Sequence, residues 1–138
     1  MRELKEYLDN NVAMRLNNFK FDRIDIADED IQKICVDDSF EISDVEEKMF
    51  SILLKRHIYC IPESIMDICV EFEIARNIAD EYDMSLENFD LDKEITEKNI
   101  DEYIDNNFNR VSALVSSVTS GFGLNPLITP PVFIREEY

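Results

Sequence analysis

The chain has 138 residues, a length that fits one domain and can bury a sizeable core without disulfides or metals. Its 31 acidic and 14 basic residues give a formal net charge of −17. That argues against binding nucleic acid through phosphates or docking on anionic membranes, and favours basic partners. Hydrophobic residues make up 45% of the chain, which argues against global disorder. No apolar run reaches the 18 residues of a membrane helix, and no signal-peptide pattern opens the sequence. Three cysteines with no C-x-x-C pair fit a reduced, cytoplasmic protein.

In residues 1–13, Leu4, Tyr7 and Leu8 have helical spacing, and Asn10-Asn11 breaks it. This predicts a short helix or loose arm ahead of a main domain over residues 14–138. Leu16 to Ile26 reads as a first strand. Phe19 and Phe21 alternate with polar neighbours, as do Ile24 and Ile26, and the phase shift between the pairs predicts a β-bulge at Asp22-Arg23. Ile31 to Ile42 gives a weaker strand signal at Ile34, Val36, Phe40 and Ile42, with Asp37-Asp38 placed to split it. Lys48 to Ile61 is a third strand. Phe50, Ile52, Leu54, Ile58 and Cys60 share a face that Arg56 interrupts.

After a turn at Pro62–Ser64, the cleanest pattern begins. Met66, Ile68, Val70, Phe72 and Ile74 alternate with Asp67, Cys69, Glu71 and Glu73. This is a half-buried antiparallel strand with an acidic outer face, pairing with the third strand as a hairpin. Ala79 to Asp92 is acidic with scattered apolar anchors. From Thr96 the period turns helical: Ile100, Tyr103, Ile104, Phe108, Val111, Leu114, Val115 and Val118 predict a helix over 96–120, with Asn106-Asn107 as a place to kink. Gly121 suits a helix C-cap. Beyond it, Leu124, Leu127, Ile128, Val132 and Phe133 form an apolar tail, which Pro126, Pro130 and Pro131 keep out of helix and central strand. Such a tail must lie against its own domain or a partner. Strands followed by helix predict an α+β fold: a four-stranded antiparallel sheet covered on one face by a long C-terminal helix.

The residues that could carry chemistry are few. His57 and Cys60 are three apart on a strand and point to opposite faces, and the lone histidine has no visible orienting partner. Asp28-Glu29-Asp30 and Glu46-Glu47 lack calcium-loop spacing. Two glycines in the whole chain leave little room for a phosphate-cradling loop. The expectation is no catalytic residue, no metal and no cofactor. What remains is surface: the stripe Asp67, Glu71 and Glu73, and the apolar tail.

The segments Arg110–Ser117, Gly121–Ile128 and Pro130–Phe133 resemble the C-terminus of the SecB family of protein-export chaperones. That family has a Ser/Val-rich helix end, a Gly/Phe-Pro-Leu turn and an apolar-Pro-apolar-Phe segment, in that order. With the order of strands, the resemblance spans roughly residues 14–133. It implies an ATP-independent holding chaperone that keeps unfolded polypeptides or preproteins in apolar grooves. By the same resemblance, Phe122, Leu124, Leu127, Ile128, Val132 and Phe133 would line the client groove. The acidic face at Asp67, Glu71 and Glu73 would meet the basic tail of the SecA motor, unless it is ordinary outward alternation. The family assembles as a dimer of dimers partly through edge strands, so a homodimer or homotetramer is expected, with strand 1 suited to the pairing. The rival reading is an interaction module for one dedicated partner, as in a toxin–antitoxin system.

Overall fold

Four strands alternate apolar and polar residues as the sequence predicts, and their pairing decides what is central. In the computed structural model, which describes residues 3–24, 33–61, 65–105, 107–121 and 127–134, they are β1 (Ala13–Ile24), β2 (Lys33–Ser43), β3 (Met49–Ile61) and β4 (Ile65–Asn77). All neighbours are antiparallel, in the order β1-β4-β3-β2. The hairpin β3–β4 is therefore the centre, and β1 and β2 are the two edges. Phe50, Ile52, Leu54 and Ile58 of β3 and Ile68, Val70, Phe72 and Ile74 of β4 are fully buried on one face. Burying such side chains stabilises a fold by about 1.5–3 kcal/mol each before chain entropy is counted.

Among the described residues, three helices cover that face: α1 (Leu91–Glu94), α2 (Ile100–Ile104) and α3 (Phe108–Gly121). The expected helix over 96–120 is thus two helices sharing one apolar stripe. Ile100, Tyr103 and Ile104 are buried on α2, and Phe108, Val111 and Val115 on α3. The break has a local cause. Asp105 takes a left-handed conformation (φ 49°), and the buried Asn107 side chain donates to the Ile104 carbonyl, capping α2 where a continuous helix would need that carbonyl for its own ladder. The ring of Phe108 then sits edge-on to Phe72, 5.3 Å between centroids.

Two further expectations are corrected. The register of β1 against β4 slips between Leu16 and Asn18, not at Asp22-Arg23, where pairing continues unbroken to Ile24 and Ile65. A residue inserted at Asn17 lets Leu16, three positions before Phe19, share its face. Asp37-Asp38 does not split β2, because Asp38 lies directly across from Arg56 and pairs with it.

The N-terminal residues form a 3-10 turn, Leu4–Tyr7, with Leu4 wholly buried. Leu8 bridges to Ile78, and Tyr7 packs edge-on to Tyr82. Arg76, at the end of β4, donates to the Tyr103 and Asp9 carbonyls, joining this segment to the α2 end. Burial pushes its pKa down from the usual value. Burial, with the Glu94 charge adding to it, pushes the Tyr103 phenol up from 10 to about 12. A raised tyrosine pKa favours the folded state below the unfolded value and loses that contribution as pH rises through the folded one. Urea midpoints should therefore fall between pH 10 and pH 12, and less steeply in Tyr103→Phe; equal slopes in both proteins would refute the assignment.

A candidate polypeptide-binding groove at the β2 edge

The arginine that interrupts the apolar face of β3 is the anchor of the C-terminal tail. Arg56 and Asp38 are both fully buried. Arg56 donates Nε to Asp38 Oδ1 and Nη2 to Oδ2, each at 2.8 Å, a two-pronged match of guanidinium to carboxylate. Its remaining donors reach the tail: Nη1 to the Pro130 carbonyl at 2.6 Å and Thr129 Oγ1 at 3.2 Å, and Nη2 to the Val132 carbonyl at 2.8 Å. Asp38 Oδ2 also accepts from the Ile134 amide at 2.8 Å. The guanidinium carbon lies 4.3 Å above the Phe108 ring. A buried charge is tolerable only when paired and hydrogen-bonded, and this pair spends its capacity on the tail backbone.

Neighbouring side chains extend the grip. Thr119 Oγ1 accepts from the Leu127 amide at 2.9 Å, and Asp101 Oδ1 accepts from the Phe133 amide at 2.9 Å. The Phe133 ring sits between Phe40 (5.6 Å) and Phe108 (6.2 Å).

Held in this way, the tail divides the residues assigned to client binding. Phe133 is 4% exposed and packs in the core, where it anchors the tail. Leu127 is half-buried, whereas Ile128 is 82% and Val132 44% exposed. Phe122 and Leu124 lie outside the described residues. Between the tail and the outer edge of β2 runs a groove of about 560 Å³. Ile34, Val36 and Tyr59 line one side, and Leu127, Ile128 and Pro130 the other. Ile34 is 45% exposed. A hydrogen bond to Asp37 pushes the Tyr59 phenol up to about 12.

Sequence reasoning missed the β2 side of this groove and the Arg56–Asp38 clamp. The clamp had a readable signal: opposite charges on the apolar phases of the second and third strands. The groove had none, because only the sheet order makes β2 an edge.

The acidic stripe is less bare than its sequence implies. Asp67, Glu71 and Glu73 lie on the uncovered face of the central strand β4, each half-buried. Asp67 is bonded to His57 Nε2, Glu71 stands opposite Lys55 in the register, and Glu73 meets Arg15 at 2.7 Å. Because Arg15 is 75% exposed, Glu73→Ala should cost at most about 1 kcal/mol in chemical denaturation; a larger loss would give the pair a structural weight that its exposure does not support.

The His57 imidazole stacks on Tyr59 and bonds Asp67; the Cys60 side chain lies outside the described residues. Burial pushes the Cys69 thiol up, away from the reactive thiolate. Among the described residues, no group of three or more His, Cys, Asp or Glu side chains is placed to hold a metal ion, and no helix is long and apolar enough to cross a membrane.

No protein-family model and no curated protein matches this sequence. Solved structures do match. A protein of unknown function from Streptococcus agalactiae aligns over 87% of this chain and 97% of its own, at 15% identity and a TM-score of 0.45. The SecB-like chaperone Rv1957 of Mycobacterium tuberculosis, solved with a ChAD peptide from the HigA1 antitoxin, aligns over 98% of this chain and 96% of its own. Identity there is 18% and the TM-score 0.65. With its four-stranded antiparallel sheet, helical layer and docked tail, the chain has the SecB-like fold.

Proposed function

We propose that this protein is an ATP-independent holding chaperone that binds non-native polypeptides by burial in an apolar groove. The observation that carries the reading is the open groove at the β2 edge, with Ile34 and Ile128 exposed beside it, in a chain of SecB-like fold. Apolar burial is non-directional, so one groove can accept many sequences, and the −17 charge would keep a loaded complex soluble. The proposed activity is binding, without covalent chemistry, cofactor or metal, in the cytoplasm.

The second reading is a module for one dedicated partner, and the Rv1957 structure supports it, since that SecB-like protein was solved with a peptide from a single antitoxin. Suppression of aggregation for several unrelated denatured proteins at equimolar ratio supports the general chaperone. Suppression of none, with one protein recovered specifically from lysate, supports the module and refutes the general reading. Delivery of preproteins to SecA through Asp67, Glu71 and Glu73 is the finer part of the proposal; reversing all three charges should abolish SecA binding, and an unchanged affinity would remove it.

The assembly we propose is a homodimer or homotetramer in which β1 edges meet. Leu16 on β1 is 46% exposed on the helix-covered side of the sheet, and an edge strand with uncovered apolar surface invites pairing. Light scattering at micromolar concentration should give an even-numbered oligomer, and Leu16→Lys should shift it toward monomer. A strictly monomeric parent protein would refute this.

A further inference from the structure

We propose that His57 is a proton switch on the open face of the sheet. Protonated, its imidazolium occupies Asp67 and closes that end of the acidic stripe. Neutral, it yields Asp67 to a lysine or arginine of a partner. The inference rests on the reading of Asp67, Glu71 and Glu73 as a docking surface for a basic partner, and adds to it a control by pH.

Each carboxylate of the stripe has a basic side chain beside it, and these differ in kind. Glu73 meets Arg15 at 2.7 Å, and Glu71 stands across from Lys55. Arginine and lysine keep their charge throughout the physiological range. Asp67 is instead bonded to His57 Nε2, and an imidazole ordinarily changes charge between about pH 5 and pH 8. His57 is also the single histidine of the chain. The charge of the stripe therefore changes near neutral pH at one end, and that end is Asp67.

The groups around the imidazole set the size of that change. Residues directly opposite on neighbouring antiparallel strands share a face of the sheet. On the row of His57, Asp37 of β2 and Cys69 of β4 flank the ring, and Lys20 of β1 lies beyond Cys69. The next row carries Asp22 of β1, Asp67, Tyr59 and Cys35, with Lys20 3.4 Å from Asp22. On the row to the other side, Glu71 and Lys55 balance each other. With the imidazole protonated, three carboxylates on the first two rows face two cations; with it neutral, they face one. Tyr59 and Cys69 take no part. The hydrogen bond to Asp37 that holds the Tyr59 phenol up at about 12, and the burial that raises the Cys69 thiol, keep both neutral while a histidine titrates.

The pair is placed for exchange. The His57 and Asp67 side chains are 40% and 45% exposed, so a partner can reach the carboxylate. The ring stacks on Tyr59, 4.9 Å between centroids, a contact that does not need the proton. An imidazolium donates a stronger hydrogen bond to a carboxylate than a neutral ring does. An arriving ammonium or guanidinium must displace the first and meets less competition from the second. Partner binding and proton loss from His57 therefore favour each other by the same factor. The sign follows: affinity for a basic partner rises with pH through the histidine range, and binding releases a proton.

The test uses the intact protein and a fluorescent lysine-rich peptide, acetylated and free of histidine. Binding is read by anisotropy from about pH 5.5 to about pH 7.5 at fixed ionic strength, since salt screens exposed charges. Affinity should tighten about threefold to fivefold over that range, the upper part of what an exposed ion pair contributes. Calorimetry in buffers of different ionisation heat should show protons released on binding near the middle of the range. Two variants bracket the switch. His57→Gln keeps an N–H for Asp67 without a charge and should bind at every pH as the parent does at the alkaline end. His57→Lys keeps a permanent cation there and should bind at every pH as the parent does at the acid end.

A flat profile in the parent, with binding still abolished by Glu71→Lys and Glu73→Lys together, overturns the switch and leaves the docking surface standing. A profile that keeps its slope in His57→Gln also overturns the switch, because another group then carries the proton. If the doubly reversed protein binds the peptide as tightly as the parent, the docking surface and the switch both fall. Both fall too if the peptide binds at no pH in the range.

Discussion

Asp38→Ala is expected to be among the most damaging single changes in this protein, lowering stability by about 3–5 kcal/mol. The carboxylate is fully buried, takes both prongs of the Arg56 guanidinium and accepts from the Ile134 amide. Its removal leaves a buried cation facing an apolar sheet. The same change should free the tail, so limited proteolysis within residues 127–134 should accelerate even where the core remains folded. Replacing both partners, Asp38→Leu with Arg56→Met, should recover much of the stability, because two apolar side chains carry no desolvation cost. It should not restore the tail, whose Pro130 and Val132 carbonyls would lose their donor. A stability for Asp38→Ala within about 1 kcal/mol of the parent would refute the clamp.

The tail variants should separate anchor from surface. Phe133→Asp puts a carboxylate between Phe40 and Phe108 and should cost several kcal/mol, seen as a large fall in Tm by circular dichroism. Ile128→Asp alters a side chain that is 82% exposed, so its melt should stay within about 0.5 kcal/mol of the parent. Its ability to hold a denatured protein should nonetheless fall several-fold, because the charge enters the apolar wall of the groove. If Ile128→Asp holds clients as well as the parent, the tail side of the groove is not a contact surface. If Phe133→Asp melts like the parent, the burial of Phe133 in the core is wrong.

Strict alternation made the centre of the sheet readable. Met66 to Ile74 and Phe50 to Ile58 repeat with period two, and a strand with one buried face leaves little freedom in which residues turn inward. The helical stripe from Ile100 to Val118 was equally legible as a face, but its division at Asp105–Asn107 was not. Whether a left-handed residue and a side-chain cap replace a ladder bond depends on how the two segments seat on the sheet. The same limit applied to β1. The apolar residues Leu16, Phe19, Phe21, Ile24 and Ile26 admit more than one phase shift, and only pairing with β4 places the bulge at Asn17.

What the sequence alone determined is the α+β class, the inward faces of the two central strands, and an apolar proline-bearing tail that had to dock somewhere. Each follows from local chemistry: side-chain periodicity, helix and strand preferences, and the missing proline N–H. The tertiary structure decided the rest. It made β2 an edge, turned the odd arginine of β3 into the clamp of the tail, buried Phe133 while leaving Ile128 outside, and set cations beside the acidic stripe. These depend on which strands become neighbours and which residues meet across them, and such meetings join positions as far apart in the chain as Asp38 and Ile134. Local pattern does not encode the cost or gain of a contact at that separation; it becomes visible only once the sheet order brings β2 and the C-terminal tail to the same edge.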